Sequence, residues 1–213
     1  MAGLNAEDAR IFRITHIDNV PWILGNGLHS RSSPHQDPSF VQIGLLDLID
    51  KRASRRVPAG PGGLLSDYVP FYFTPWSIMM YKIKTGHGGD VIQRANREIV
   101  IMVSSVYRLL EKNISFVFTN AHAYMMEADY FTDVRQLSEV DWPLLRSRDF
   151  KTDPNDPGKQ GRYQAECLVH KHLPIDALLG IACYDENAKA KLADKSRACG
   201  SPIKIDTVQG WYF

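Results

Sequence analysis

The chain has 213 residues, of which 44% are hydrophobic and 23% charged, with a formal net charge of +1. That length holds one substantial domain with a full core, residues 1–213, and the composition is ordinary for a soluble protein. A near-neutral balance excludes a generally basic nucleic-acid binder, so any contact with an anionic partner must come from local clustering.

Residues 11–15 alternate apolar and polar, so a first strand is expected, with Phe12 and Ile14 on one face and Arg13 and Thr15 on the other. His16 stands at its end. Asp18 or Asn19 can cap a helix over Val20 to Leu24, with Pro21 in its first turn and Gly-Asn-Gly at 25–27 to stop it. Residues 29–40 read as loop. Residues 45–56 read as a helix ending in Lys51, Arg52, Arg55 and Arg56, either a solvated face or one turned toward phosphate. The Gly/Pro-rich connector at 57–63 is no phosphate-binding loop, because no Gly-Lys-Ser/Thr follows it. Residues 68–73 read as an apolar, aromatic strand, with a helix beginning near Ser77. Tyr72, Phe73 and Trp76 suit either a core or a stacking site.

A central strand is expected at 98–103, then a helix capped by Ser104, then a short strand at 116–118 running into His122. Residues 123–137 read as partly helical. Residues 141–161 read as a long, irregular, basic loop that delivers the chain to Arg-Tyr-Gln-Ala-Glu at 162–166. On a strand, period two puts Gln164 and Glu166 on one face, with Glu166 at the mouth of the apolar run Cys167 to Val169. A short helix at 175–179, a strand at 181–184, a charged helix at 186–198, a strand at 203–205 and an apolar Gly-Trp-Tyr-Phe end complete the chain.

The cysteines, Cys167, Cys183 and Cys199, lack CxxC or metal-ligand spacing. With no basic-then-apolar leader, they point to reduced thiols in a cytoplasm. No apolar run approaches the roughly 20 residues that span a bilayer. No HExxH, GxSxG or GxGxxG is present, so no metal is expected, and a serine hydrolase or a doubly wound dinucleotide fold is unsupported. The expected strand ends instead collect Arg13, His16, Tyr72, Trp76, Ser77, His122 and Glu166. A carboxylate leading into a buried strand is costly unless paired or working, although a surface glutamate is the commoner case. One glutamate, an arginine and aromatic walls suit chemistry at a nicotinamide ribose, where breaking the glycosidic bond builds oxocarbenium charge.

Ordered motifs carry a resemblance over about residues 11–213. They are Ile-Thr-His-Ile-Asp-Asn at 14–19, Lys-Arg at 51–52, Asp-Tyr-Val-Pro-Phe-Tyr-Phe at 67–73, and Phe-Val-Phe-Thr at 116–119 with His122. Asp-Trp at 141–142, Tyr-Gln-Ala-Glu at 163–166 and the closing Gly-Trp-Tyr-Phe complete the set. Together they resemble the DarT family of DNA ADP-ribosyltransferases, the toxins of DarT–DarG toxin–antitoxin pairs. The resemblance implies an α+β ADP-ribosyltransferase fold, mixed central sheets with NAD in the cleft between them and helices at the flanks. It implies ADP-ribose transfer from NAD to a base, usually thymidine, in single-stranded DNA, and a macrodomain antitoxin as partner to a monomeric, cytoplasmic enzyme.

By the same resemblance Glu166, Arg52 and His122 are catalytic. Arg13, Ile14, Thr15, His16, Trp22, Tyr72 and Ser77 join Arg52 around NAD. Residues 35–52 match the family's NAD-covering element, and 122–166 its turn-turn loop. Lys51, Arg55, Trp76, Ser77, Met79, Tyr81, Arg148, Phe150, Lys151 and Gln164 would contact DNA. Two departures stand out: Arg13 replaces a histidine found in some members, and Trp76 and Ile78 lie where others often read Arg-Ser-Pro. The alternatives are an NAD glycohydrolase, a transferase acting on protein, RNA or guanine, and a non-catalytic nucleic-acid-binding domain.

Overall fold

The computed structural model describes residues 3–88 and 91–213. Its strands are β1 (Arg10–His16), β2 (Leu28–His29), β3 (Tyr68–Tyr72), β4 (Ile99–Ser105), β5 (Phe116–Thr119), β6 (Tyr130–Phe131), β7 (Glu166–His170), β8 (His172–Leu173), β9 (Gly180–Cys183) and β10 (Ile205–Thr207). The helices are α1 (Val20–Asn26), α2 (Leu46–Ala53), α3 (Ile78–Thr85), α4 (Val106–Glu111), α5 (Trp142–Ser147), α6 (Lys159–Arg162) and α7 (Glu186–Ala198). Eight strands form one mixed sheet in the order β10-β9-β4-β1-β3-β7-β5-β6; β2 and β8 make a separate pair.

The sheet is not uniformly knit. β1 pairs with β4 over its whole length, from Arg10↔Ser105 to His16↔Ile99. β3 pairs with β7 from Tyr68↔His170 to Tyr72↔Glu166. Between those halves, β1 and β3 share the single pair Phe12↔Tyr72. Two four-stranded halves therefore meet at one rung, and the strands splay apart beside it. This is how the expected two sheets are realised, and the rung runs on to Glu166.

β4 is buried on every residue and β7 on all but its last, which is why they read as apolar runs, whereas β1 is partly exposed at Arg13 and reads as an alternation. Ser77 caps α3 by accepting from the Met80 N–H, and the left-handed Gly86 ends it. The cap of α4 is Ser105, one residue beyond the expected Ser104; Ser104 instead donates to the Ala177 carbonyl. Neither Asp18 nor Asn19 caps α1 with its side chain. The His16 ring accepts from the Asp18 N–H and starts a 3-10 turn, Ile17–Asn19, ahead of the helix. The expected irregular stretch at 141–161 contains α5, capped by Asp141, and the start of α6. The chain end docks as expected. Trp211 meets Phe12 edge-on at 5.2 Å, and the Tyr212 hydroxyl donates to the carbonyls of Ile99 and Ala182. Among the described residues no helix is long and apolar enough to cross a membrane.

Candidate active site

Glu166 opens β7 and is completely buried. A bare carboxylate in that position would be strongly disfavoured. Two partners remove the cost. Arg52, from the last turn of α2, donates Nη1 to Oε1 at 2.9 Å and Nη2 to Oε2 at 2.8 Å, a two-pronged contact. The Ala123 N–H donates to Oε1 at 2.9 Å. Burial alone would push the Glu166 carboxyl up; the guanidinium and the amide hold it below the usual carboxylate range instead. Burial also acts against the Arg52 charge, but Glu166 wins and raises its pKa.

The loop carrying Ala123 is itself fixed. The His122 N–H donates to Gly161 O at 2.9 Å and the Met125 N–H to His122 O at 2.9 Å. The Tyr130 hydroxyl donates to the Ala123 carbonyl. A Cβ on Gly161 would sit 2.7 Å from the Met125 sulfur, so a larger residue there would have to displace the end of the Met125 side chain.

Tyr72 faces Glu166 across the β3–β7 pair, and burial with the nearby carboxylate pushes its phenol up. Arg13 lies beside the rung and donates Nη1 to Pro70 O at 2.9 Å. Its buried Nε has no partner among the described residues, and burial brings its pKa down to about 10, so it stays charged at neutral pH.

Two connected hollows open over these groups. One of about 400 Å³ is lined by Arg13, Thr15, Trp22, His29, Arg31, Phe40, Leu65, Ser66 and residues 68–70, among others. One of about 160 Å³ holds Glu166, His122, Tyr72, Met79 and Ile14. Arg13, Thr15, Phe40, Gln42, Ile49, Arg52 and Pro70 border both. The pair suits an elongated ligand with its reacting end at Glu166.

The segment before α2 forms one wall. Asn19 pins it like a strand partner: its amide donates to Val41 O at 3.0 Å and its oxygen accepts from the Val41 N–H at 2.8 Å. The same amide meets the Thr15 hydroxyl at 3.0 Å. Asn19 therefore serves the covering segment rather than a helix cap.

The family model for DarT, described as "ssDNA thymidine ADP-ribosyltransferase, DarT", matches residues 12–213. The chain belongs to the DarT family. It is 47% identical to a DNA ADP-ribosyl transferase of Escherichia coli O127:H6 over 212 residues, covering 100% of this chain and 97% of that one. It is similar to the solved structure of Thermus sp. 2.9 DarT in complex with ADP-ribosylated ssDNA, at TM-score 0.87 and 30% identity over 97% of both chains. The same Thermus protein in complex with NAD+ matches at TM-score 0.83 and 29% identity, over 97% of this chain and 98% of that one. Membership makes the chain an NAD-dependent ADP-ribosyltransferase of DNA.

Against the residues that the DarT resemblance singles out, the structure gathers Glu166, Arg52, His122, Arg13, Ile14, Thr15, Trp22 and Tyr72 at the two hollows. Met79 joins them. His16 does not line either one. Its ring caps the turn after β1 and faces Glu98 at 3.8 Å. Ser77 is buried and spends its hydroxyl on the α3 cap.

Gln164 is not on the strand. It sits in a turn after α6 and donates to Gln160 O, so the period-two argument linking it to Glu166 fails. Trp76 is only 7% exposed, with Nε1 donating to Gly210 O and the Arg148 guanidinium 3.5 Å over its ring. That ring is occupied, which corrects its reading as a free stacking surface for a base. Tyr81 and Phe150 pack on each other at 5.4 Å and both on Phe213. Lys51 and Lys151 are exposed; Lys51 pairs with Asp47. Arg55 reaches Met125 O and the Met126 sulfur. Sequence reasoning missed the Ala123 amide and Tyr130, since a backbone donor and a phenol 36 residues from Glu166 leave no local pattern.

Proposed function

We propose that this chain transfers ADP-ribose from NAD to a thymidine in single-stranded DNA, as a replication-blocking toxin countered by a macrodomain antitoxin that removes the mark. The observation that carries the reading is the fully buried Glu166 held by Arg52 at the floor of a two-part cleft. The family and its NAD-bound and DNA-bound relatives supply the substrates. In this reading the chain acts as one domain and a monomer, in the cytoplasm, where the DNA is.

Acceptor sites on the carboxylate limit what it does. Two oxygens offer about four lone-pair positions. Oε1 takes Arg52 and Ala123, and Oε2 takes Arg52, leaving one position on Oε2. That position accepts the 2′-hydroxyl of the nicotinamide ribose. As the C1′–N bond breaks, nicotinamide leaves with the bonding pair, and the fixed negative charge steadies the cationic ribose. The new bond runs from C1′ to thymine N3, and the N3 proton passes to water. Arg52 retains donors beyond the two spent on Glu166. With its raised pKa it acts as an electrostatic aid to the imide anion rather than as a base. Single-stranded DNA is the accessible form because a paired base must first be unstacked.

The test is to incubate the chain with NAD and a thymidine-containing single-stranded oligonucleotide. One ADP-ribose of added mass, absent with duplex and lost in Glu166→Ala, supports the reading. Nicotinamide release with an unmarked oligonucleotide would instead indicate an NAD glycohydrolase or another acceptor.

A further inference from the structure

We infer that His122 enters the reaction as a neutral hydrogen-bond donor through Nε2–H, and that with Arg52 it selects an acceptor base whose reacting nitrogen lies between two carbonyls. The inference rests on the acceptor proposed above and deepens it to a base-edge pattern.

The geometry of the ring decides which nitrogen carries the proton. The Tyr124 N–H donates to His122 Nδ1 at 3.2 Å. A ring nitrogen that accepts a backbone N–H cannot carry a hydrogen of its own, so the neutral ring is protonated at Nε2. Nδ1 also lies 3.8 Å from Glu166 Oε1, a carboxylate already filled at that oxygen by Arg52 and Ala123. Nε2 has no partner among the described residues, and His122 lines the small hollow together with Glu166. Burial supports the neutral state by holding the imidazole below its usual range.

A ring in this state is a poor base. Its free nitrogen faces the Tyr124 amide, and the other nitrogen already carries its proton. What it offers the cleft is a donor. Arg52 offers another, from the N–H groups that it does not spend on Glu166. Two donors flanking a reacting nitrogen match thymine, whose N3–H lies between O4 and O2. Cytosine sets an amino donor beside N3, and guanine one beside N1, so in each a donor would face a donor and leave both unpaired. The clamp steadies the negative charge that spreads onto the carbonyls as N3 gives up its proton to water and bonds to C1′.

Two measurements test this. The first is a long-range nitrogen–proton NMR spectrum of the ¹⁵N-histidine-labelled chain, with His122 assigned by its absence in His122→Gln. An Nε2–H tautomer supports the inference and an Nδ1–H tautomer overturns it, whatever the acceptor proves to be. The second compares variants in single-turnover transfer to a single-stranded oligonucleotide. A glutamine amide reaches the Nε2 position and an asparagine amide does not. Transfer by His122→Gln within about tenfold of wild type, against losses of ~10²–10³ in His122→Asn and His122→Ala, supports a donor role. Equal loss in all three, with NAD affinity kept, overturns it. Replacing the target with 4-thiothymidine or 2-thiothymidine should slow the wild type and narrow its advantage over His122→Ala; an undiminished advantage on both analogues overturns the carbonyl contact. A wild-type chain that turns over NAD yet marks no oligonucleotide overturns the acceptor and the clamp together, and leaves the tautomer result standing.

Discussion

Replacing Arg52 with methionine removes the cation from Glu166 while keeping a side chain of similar length. The pair is two-pronged, at 2.8 and 2.9 Å, with side-chain exposures of 11% and 0%. Breaking such a pair on one side leaves an uncompensated buried charge and costs about 3–5 kcal/mol. For a chain of this size, at about 2–4 °C per kcal/mol, Tm should fall by roughly 6–20 °C. The pH dependence carries the sharper signature. In the wild type the folded pKa of Glu166 is depressed, so its contribution is present above the unfolded value and lost as pH falls through the folded one. Without Arg52, burial dominates and the folded pKa lies above the unfolded one. The penalty in Arg52→Met is then greatest where the carboxyl must stay ionised and shrinks as acid protonates it. Thermal unfolding from about pH 8 down to about pH 5 should show the gap between wild type and variant narrowing. The double variant Arg52→Met/Glu166→Leu should recover part of the loss, because an apolar pair leaves no stranded charge. A gap independent of pH, or single losses that simply add, would refute the argument.

Glu166→Gln should lower transfer to an oligonucleotide by at least ~10²-fold, measured in single-turnover assays at saturating NAD. Arg13→Ala should weaken NAD binding about tenfold to a hundredfold by calorimetry, on the scale of ~1.5–3 kcal/mol for a charged hydrogen bond; unchanged affinity would remove Arg13 from the cleft's working groups. Asn19→Ala breaks both links to Val41. It should speed limited proteolysis within 31–45 and raise KM for NAD more than it lowers kcat. Trp76→Ala should destabilise the chain by about 3–5 kcal/mol in denaturant unfolding, as a buried aromatic does; a drop in DNA affinity at unchanged stability would restore the stacking role.

Much of the fold was legible in the sequence because several central strands are apolar runs bounded by turn residues, and because Ser77 and Gly27 mark helix ends, the start of α3 and the stop of α1, by local chemistry. Errors arose where distant contacts outvoted local pattern. Gln164 sits two residues before Glu166, but the chain reaches the strand through a helical turn, so period two does not yet apply. Asn19 has the chemistry of a cap, yet Val41, 22 residues away, claims it. Trp76 reads as core or stacking surface alike until Gly210 and Arg148 cover it. The pairing of Arg52 with Glu166 spans 114 residues. Only the ordered motifs hinted that they meet.

The single rung Phe12↔Tyr72 has a mechanical consequence. β1 carries Arg13 and Thr15 on one half of the sheet, and β7 carries Glu166 on the other. A ligand bridging them acts as a gusset across a fold line, supplying the cross-bracing that the sparse pairing omits. Its binding energy then goes partly into setting the distance between the groups that recognise it and the carboxylate that works on it. The weakest seam in the sheet becomes the part whose span the substrate itself sets.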